Sequence, residues 1–217
     1  MNRSRHSYLL LIYQVPTQPS AARVAVWREL KRLGALYLQQ SVCVMPLTAA
    51  YRGKLEAVTE RIAALGGIYH LLPLRQVPED EDAKIVDGFR AQSSLGYDEI
   101  IENCEVNFVK EIEFETYRQN FTYAEAEEIR QDLEKIRRWY DRVLERDWFD
   151  APRREDAAAW ITRCERLLEE FEEKVFALQQ TDLAETSPQA MEDLAKPQPL
   201  RLRRGNRTRV GRDVTKR

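Results

Sequence analysis

Apolar residues in the first third of the chain fall into short runs separated by longer periodic stretches. The run at 7–15, SYLLLIYQV, is apolar, β-branched or aromatic almost throughout and stops at Pro16, which predicts a fully buried strand. Three further strands are predicted at 35–40, 42–47 and 68–77. Pro73 removes a backbone donor from the last run, so that strand is expected at a sheet edge or a bulge.

Between these strands, apolar residues recur every three or four positions, which predicts two amphipathic helices. The first follows the start signal TQPS at 17–20 and ends at Gly34, and the second ends at Gly66. The stripes expected to face the core are Val24, Trp27, Leu30 and Leu33, then Leu55, Val58, Ile62 and Leu65. The order β-α-β-β-α-β predicts a ferredoxin-like domain at 1–78, with two helices on one face of a four-stranded antiparallel sheet.

From 79 to 180 the pattern is helical. The segment 80–118 predicts helices with a kink or break near 93–97, SSLGY. Thr122 and Glu125 have the spacing of a capping box and begin a long amphipathic helix, and a second long helix follows. Their expected core stripes are Ile129, Leu133, Ile136, Tyr140 and Val143, then Ile161, Cys164, Leu168, Phe171, Val175 and Leu178. The sequence thus predicts an α+β protein in which a helical domain, built on a long antiparallel helix hairpin, follows the sheet.

Residues 181–217 are polar, contain proline and become strongly basic, which predicts a disordered tail. The formal net charge is −2, yet 200–217 holds eight basic residues and one acidic residue, so the rest of the chain is acidic. An arm on nucleic-acid phosphates is one use of such a tail, and a solubilising end or a membrane-surface contact are the others. The tail arginines expected to contact phosphate are Arg201, Arg203, Arg204, Arg207, Arg209 and Arg212.

The first helix also carries a set of basic residues outside its expected apolar stripe. They form either an ordinary solvated face or a surface that contacts phosphates. The segment KIRRWY at 135–140 places basic residues beside Trp139, as in proteins that stack bases, but neighbouring acids favour ion pairs within the helix. The candidate phosphate contacts of the first helix are Arg23, Arg28, Lys31 and Arg32.

Cysteine and histidine are scarce and scattered. Without a C-x-x-C pair or a histidine cluster, neither a disulfide framework nor a zinc site is expected, and a reducing cytoplasm fits best. The acids at 98–115 are spread as on a solvated face rather than gathered as around a metal. We therefore expect no cofactor, no metal and, since no run approaches ~20 apolar residues, no membrane span. The cysteines are Cys43, Cys104 and Cys164, and the histidines are His6 and His70.

Two separated stretches resemble one family. Residues 8–46, YLLLIYQVPTQPSAARVAVWRELKRLGALYLQQSVCVMP, are similar to the opening of the N-terminal domain of ChrB, the chromate-resistance regulator family. Residues 121–152, FTYAEAEEIRQDLEKIRRWYDRVLERDWFDAP, resemble a second stretch of that domain, and the likeness extends over 7–178. It implies a non-enzymatic, DNA-associated dimer that controls transcription of a chromate- or stress-resistance operon. Full members carry a further chromate-sensing domain where this chain has its basic tail, so the resemblance does not extend to chromate sensing, and a separate sensor protein is one possible partner.

The segment GALYLQQSVCV at 34–44 has a more distant resemblance, to small CRISPR-associated ferredoxin-like nucleases and the C-terminal domain of PaaX-type repressors. Members of that group dimerise through their sheets. Such nucleases place an acidic residue at the end of the first strand, where Mg²⁺ binds carboxylates. Here that strand ends IYQVPTQP, and no Asp or Glu precedes Glu29. We therefore expect binding rather than catalysis. The alternative to a DNA-binding regulator is a dimerising interaction module for a separate sensor or enzyme.

Overall fold

The computed structural model describes residues 6–18 and 20–185, with side chains described as far as Thr181. The α+β class is confirmed, and the first six elements follow the predicted β-α-β-β-α-β order. In chain order the elements are β1 (Tyr8–Gln14), α1 (Ser20–Arg32), β2 (Leu36–Gln39), β3 (Val42–Pro46), α2 (Ala49–Ala64), β4 (Ile68–Leu74), α3 (Glu79–Glu102), a π-helix (Asn103–Phe108), α4 (Val109–Tyr117), α5 (Tyr123–Leu144) and α6 (Arg154–Glu185).

Two compact units divide the chain, one up to Val175 and one from Phe176 onward. The predicted tail at 181–217 lies outside the described residues from 186 onward, and helix α6 continues past 180 to Glu185. The domain boundary predicted at 78 stays a prediction. Residues on both sides of it, among them Tyr8 and Phe89, belong to one hydrophobic cluster.

The four strands form one antiparallel sheet in the order β2-β3-β1-β4. Strand β1 is central: Tyr8 lies opposite Pro46 of β3 and Leu74 of β4. Strand β4 is an edge strand, as Pro73 indicated, because an edge can leave a missing N–H without a ladder partner.

The two faces of the sheet differ in how they are covered. Alternate β1 residues Leu9, Leu11 and Tyr13 are buried against α1 and α2, because successive side chains of a strand point to opposite faces. On the other face Tyr8 packs against Ile85 and Phe89 of α3. Helix α3 does not cover the C-terminal end of β1, so the prediction that β1 is buried throughout is wrong. Ile12 is 37% exposed, and Gln14 is exposed as well.

Helix α1 buries a different stripe from the one predicted. Val26 and Leu30 are fully buried, whereas Val24 and Trp27 are 39% and 47% exposed. A spacing of three residues drifts around a helix of 3.6 residues per turn, so four residues spaced by three do not share one narrow face. The i, i+4 series that packs on the sheet is completed by Ala22, which is partly buried. The prediction of Val24 and Trp27 as core residues is therefore wrong.

Helix α2 matches its predicted stripe: Leu55, Val58 and Ile62 are fully buried. Gly34 ends α1 with a φ of +80°, a conformation that side chains other than glycine rarely adopt. A Cβ at Gly34 would also lie 2.8 Å from the Cβ of Arg146. This glycine therefore sets both the turn into β2 and the close approach of the chain after α5.

Helix α3 runs without interruption through 93–97, so the predicted break there is wrong. Gly96 and Tyr97 are buried against the helical core, and a Cβ at Gly96 would lie 3.1 Å from Cγ2 of Val143 in α5. The glycine therefore allows close helix packing rather than a bend. The irregularity comes later, as the π-helix Asn103–Phe108, a form that seldom extends beyond a single turn.

Helices α5 and α6 bury the predicted stripes, except that Tyr140 is only partly buried and Leu178 is 47% exposed. Thr122 caps α5, since its hydroxyl accepts a hydrogen bond from the Glu125 N–H, as the capping-box spacing indicated. Two ion pairs join the helices. Arg130 of α5 contacts Glu172 of α6, and Arg137, later in α5, contacts Glu165, which comes earlier in α6. Their opposite order supports the antiparallel hairpin, which stays a prediction.

Candidate nucleic-acid interface

A cavity of about 480 Å³ opens where the chain leaves β1 and enters α1. Its walls come from the end of β1, the first turns of α1 and the β2–β3 turn. No acidic residue is among the described lining. The lining residues are Tyr13, Gln14, Val15, Thr17, Arg23, Val24, Trp27, Tyr37, Gln40 and Ser41.

The aromatic and cationic wall of the cavity follows from the rotational position of α1. Because Val26 and Leu30 face the sheet, Trp27 and Val24 turn outward into the cavity wall. Arg23 lies one helical turn before Trp27 and is exposed. The helix therefore presents a half-exposed indole beside a guanidinium group.

Two tyrosines form the floor between the strands. The hydroxyl oxygens of Tyr13 and Tyr37 lie 2.9 Å apart, so one donates to the other. Tyrosine is neutral near pH 7 in any case, and burial raises the pKa of both hydroxyls further above that range. Because two hydroxyls share one hydrogen in their mutual bond, the second hydrogen remains available for an outside acceptor.

The β2–β3 turn is held against the end of β1 by Ser41. This residue has a φ of +64°, in the left-handed region that residues other than glycine occupy at a cost of order 1–3 kcal/mol. Its carbonyl accepts a hydrogen bond of 3.0 Å from the Tyr13 N–H. This bond fixes the third wall of the cavity relative to the strand.

The structure separates the four basic residues of α1 that the sequence grouped together. Arg23, Arg28 and Arg32 are exposed, and within the described part of the chain none of them forms an ion pair. Lys31 is half-buried instead: its Nζ donates to Gln92 Oε1 at 3.3 Å and lies 5.4 Å from the Tyr37 ring centroid. Three arginines are thus available to an anion, while Lys31 joins α1 to α3. The six tail arginines lie outside the described residues.

The basic residues beside Trp139 are held by acids, as the sequence favoured. Lys135 contacts Asp132 at 2.7 Å, and Arg138 contacts Glu134 at 3.4 Å, both within α5. Arg137 instead pairs with Glu165 of α6. This segment therefore stabilises helices and offers less free positive charge than α1.

The fold also brings together two cysteines that are far apart in the sequence. Cys104 and Cys164 are neighbours inside the helical core, and the interaction between their thiols lowers the pKa of Cys104 and raises that of Cys164. No spacing signal could have shown this, because the contact depends on how α6 packs against the π-helix. Cys43 is buried in the sheet, and burial raises its pKa to about 12.

The described residues contain no group of three or more His, Cys, Asp or Glu side chains placed to hold a metal ion. Across 6–18 and 20–185, each helix is too short or too polar to cross a membrane.

Comparison with known proteins places this architecture in a family. The family described as "Protein ChrB, N-terminal" matches residues 23–182. Protein ChrB of Cupriavidus metallidurans is 28% identical over 78 residues, which cover 36% of this chain and 24% of that protein. The match thus spans about a quarter of the relative's length. No solved structure matches the chain. Because the family match covers both the sheet helices and the helical core, this chain belongs to the ChrB N-terminal family.

Proposed function

We propose that this chain is a non-enzymatic regulatory protein that binds DNA and acts on transcription in chromate resistance. Family membership supports the link to chromate resistance. The observation that carries the DNA association is the exposed surface of α1. Arg28 and Arg32 lie one helical turn apart, Arg23 lies on another side of the helix, and all three lack acidic partners among the described residues. Arginine presents a planar fork of donors that matches phosphate oxygens. The strand order β2-β3-β1-β4 supports a ferredoxin-like class for the sheet.

The end of β1 supports a binding role over catalysis. Tyr13, Gln14 and Thr17 stand where a metal-dependent nuclease of this shape needs a carboxylate. Neutral amide and hydroxyl groups do not neutralise Mg²⁺ as carboxylates do. The three cysteines are free and buried, which suits a reducing cytoplasm.

The test is equilibrium binding of the full chain to labelled DNA from its own upstream region and to a scrambled duplex, over a range of salt concentrations. Replacing Arg28 and Arg32 by alanine should weaken binding to both duplexes. Each lost phosphate contact should also flatten the plot of log K against log salt by about 0.9.

The matched control replaces two exposed helix arginines that do have glutamate partners, Arg138 and Arg166. This control changes the net charge equally and should leave the salt slope unchanged. Equal effects of the two double variants, or no DNA binding at low salt, would contradict the proposal. A chain ending at Glu185 separates the tail: preference for the upstream duplex should persist without it.

A second candidate function, self-association as a dimerising module, is favoured by the uncovered part of the sheet. Ile12, Ile68 and Leu72 are 37%, 63% and 46% exposed, and the pairing register puts them on the face that α3 only partly covers. Strand β4 also presents an open edge. We propose that a second copy of this chain covers this area, in which the exposed His70 and Gln14 lie among the apolar side chains, because a two-fold dimer pairs the same surface of both copies.

Sedimentation velocity tests the dimer. A charge at the sheet face, Leu72→Glu, should convert a dimer to a monomer. The control Leu95→Glu places the same charge on α3, at a side chain that is 66% exposed, and should leave the dimer intact. A wild-type chain that is monomeric at all concentrations would contradict self-association and leave the face to a different protein, such as a separate sensor.

A further inference from the structure

We propose that the cavity beside Trp27 binds a single nucleotide, with the base stacked on the indole and the phosphate at Arg23. The inference rests on the proposed DNA association for the source of that nucleotide, but the site itself stands on the cavity. Its volume of about 480 Å³ falls within the roughly 300–1,000 Å³ typical of small-ligand sites.

The base position follows from the exposed aromatic side chain. Trp27 is 47% exposed in the cavity wall although α1 is a well-packed helix. Stacking on an aromatic side chain is tolerant of base identity, because every base has a π-face. Val24 provides further apolar surface in the same wall.

The phosphate position follows from charge. Arg23 lines the cavity, and the described lining carries no acid that would repel a phosphate or occupy the guanidinium. The Lys31 ammonium, 5.4 Å from the centre of the Tyr37 ring, adds positive potential behind the floor. The neutral tyrosine pair contributes no opposing charge.

The polar edge of a base also finds partners there. Gln14 and Gln40 offer both donors and acceptors, and the tyrosine pair retains one free hydroxyl hydrogen. In a duplex the base edge is already paired and both faces are stacked, so a paired base cannot enter. The ligand is therefore a free nucleotide or an unpaired residue of a nucleic acid.

The experiment uses the full chain and two DNA duplexes that differ at a single unpaired position, which is either an adenine or an abasic residue. Both duplexes carry the same phosphates, so the basic tail and the α1 arginines bind them equally. We expect the adenine duplex to bind about 5- to 150-fold more tightly, the range that loss of one stacked base produces. Fluorescence anisotropy measures both affinities, and deoxyadenosine monophosphate is titrated as the free nucleotide.

Three variants assign the effect to the cavity. Trp27→Ala should abolish the preference for the adenine duplex, and Trp27→Phe, which keeps an aromatic face, should retain most of it. The control Phe114→Ala removes an aromatic ring that is 56% exposed and lies 5.2 Å from the Arg118 guanidinium, outside the cavity. This control should leave the preference unchanged. Circular dichroism shows that each variant is folded.

The outcomes separate the site from the proposed function. Equal affinity for the two duplexes, with no binding of the mononucleotide, overturns the nucleotide site while DNA binding stands. A preference that survives Trp27→Ala also overturns it. If neither duplex binds at low salt, the proposed function fails. In that case, Trp27-dependent binding of the mononucleotide supports the cavity as a site for free nucleotides. If the mononucleotide does not bind either, the nucleotide site and the proposed function are both overturned.

Discussion

Asp82 is a buried carboxylate that ties the start of β1 to the first turn of α3. It is 6% exposed, accepts a hydrogen bond of 2.6 Å from the Tyr8 hydroxyl and lies 3.0 Å from Nδ1 of His6. Burial, together with the hydrogen bond to Asp82, raises the pKa of Tyr8 well above its usual range. Burying a carboxylate without partners costs several kcal/mol. The contacts with Tyr8 and His6 avoid that cost only while α3 lies against the sheet, so they stabilise this packing.

Replacing Tyr8 by phenylalanine removes that donor and keeps the ring. We expect the free energy of unfolding to fall by about 1.5–3 kcal/mol, the range for hydrogen bonds to charged groups. Urea unfolding measures it. The control Tyr69→Phe removes a hydroxyl from a side chain that is 39% exposed on β4 and should change stability by less than about 0.5 kcal/mol. Equal losses in both variants would contradict the role of Asp82.

Stability should fall as the pH rises above about 10, the ordinary tyrosine pKa. Burial raises the pKa of Tyr8 and Tyr97, so the native state keeps protons that the unfolded state loses. Since the unfolded state then binds fewer protons, each such tyrosine lowers the unfolding free energy by up to about 1.4 kcal/mol per pH unit. Urea unfolding between pH 8 and 11 measures the slope, and Tyr8→Phe should make it shallower. An unchanged slope in that variant would be inconsistent with this assignment.

At the scale of elements, two glycines in or next to helices have different structural roles. Gly34 closes α1 at positive φ and lies against Arg146, whereas Gly53 lies inside α2 with open space where a Cβ would be. Local propensity therefore decides the effect of a change at Gly53, and tertiary packing decides it at Gly34.

Gly34→Ala should destabilise the protein by about 1–3 kcal/mol, because a Cβ is strained at this φ and also meets Arg146. Gly53→Ala should have the opposite sign and stabilise it by about 0.5–1 kcal/mol, since alanine favours a helix interior. Thermal and urea unfolding of the pair measure both. A Gly34→Ala variant as stable as the wild type would contradict the strain at the end of α1, and a destabilising Gly53→Ala would contradict the open space at that position.

Helix α1 illustrates what an element pattern leaves open. The sequence predicted its bounds well, from the start signal at 17–20 to Gly34. The rotation of α1 about its own axis depends on which of two overlapping sets of residues packs on the sheet. The set that packs there includes the small side chain of Ala22 as well as large ones. The residues turned outward, Trp27 and Val24, became the wall of the candidate site.

At the scale of the whole molecule, the sheet and the helical region share packing. Ile85 and Phe89 of α3, with Phe149 after α5, cover the half of the sheet around Tyr8. We expect the sheet and the helical core up to Val175 to open together rather than one after the other, because separating them would expose this cluster to water.

The three buried cysteines can report this cooperativity. Cys43 lies in the sheet core, while Cys104 and Cys164 lie in the helical core. Buried thiols react slowly, so under native conditions a thiol reagent should modify Cys43 and Cys164 at rates limited by opening of the protein. Single-cysteine variants should give equal rates, measured by mass spectrometry over time. Much faster labelling of one core would contradict joint opening and favour an independent domain boundary at 78.

The sequence by itself determined the features that arise from neighbours along the chain. The four strands, the glycine that ends α1, the cap at Thr122 and the edge position of β4 follow from local periodicity, φ preference and hydrogen-bonding capacity. The absence of a carboxylate at the end of β1 is likewise written in the residues, and so is the resemblance that led to the family.

Only the tertiary structure decided which surfaces meet and which stay open. It kept α3 continuous through Gly96, brought Cys104 beside Cys164, and left Ile12 beyond the part of the sheet that α3 covers. It also turned Trp27 into a cavity wall beside Arg23. These outcomes depend on packing between segments that are distant in sequence. The free energy of such packing cannot be read from the pattern of residues within one segment.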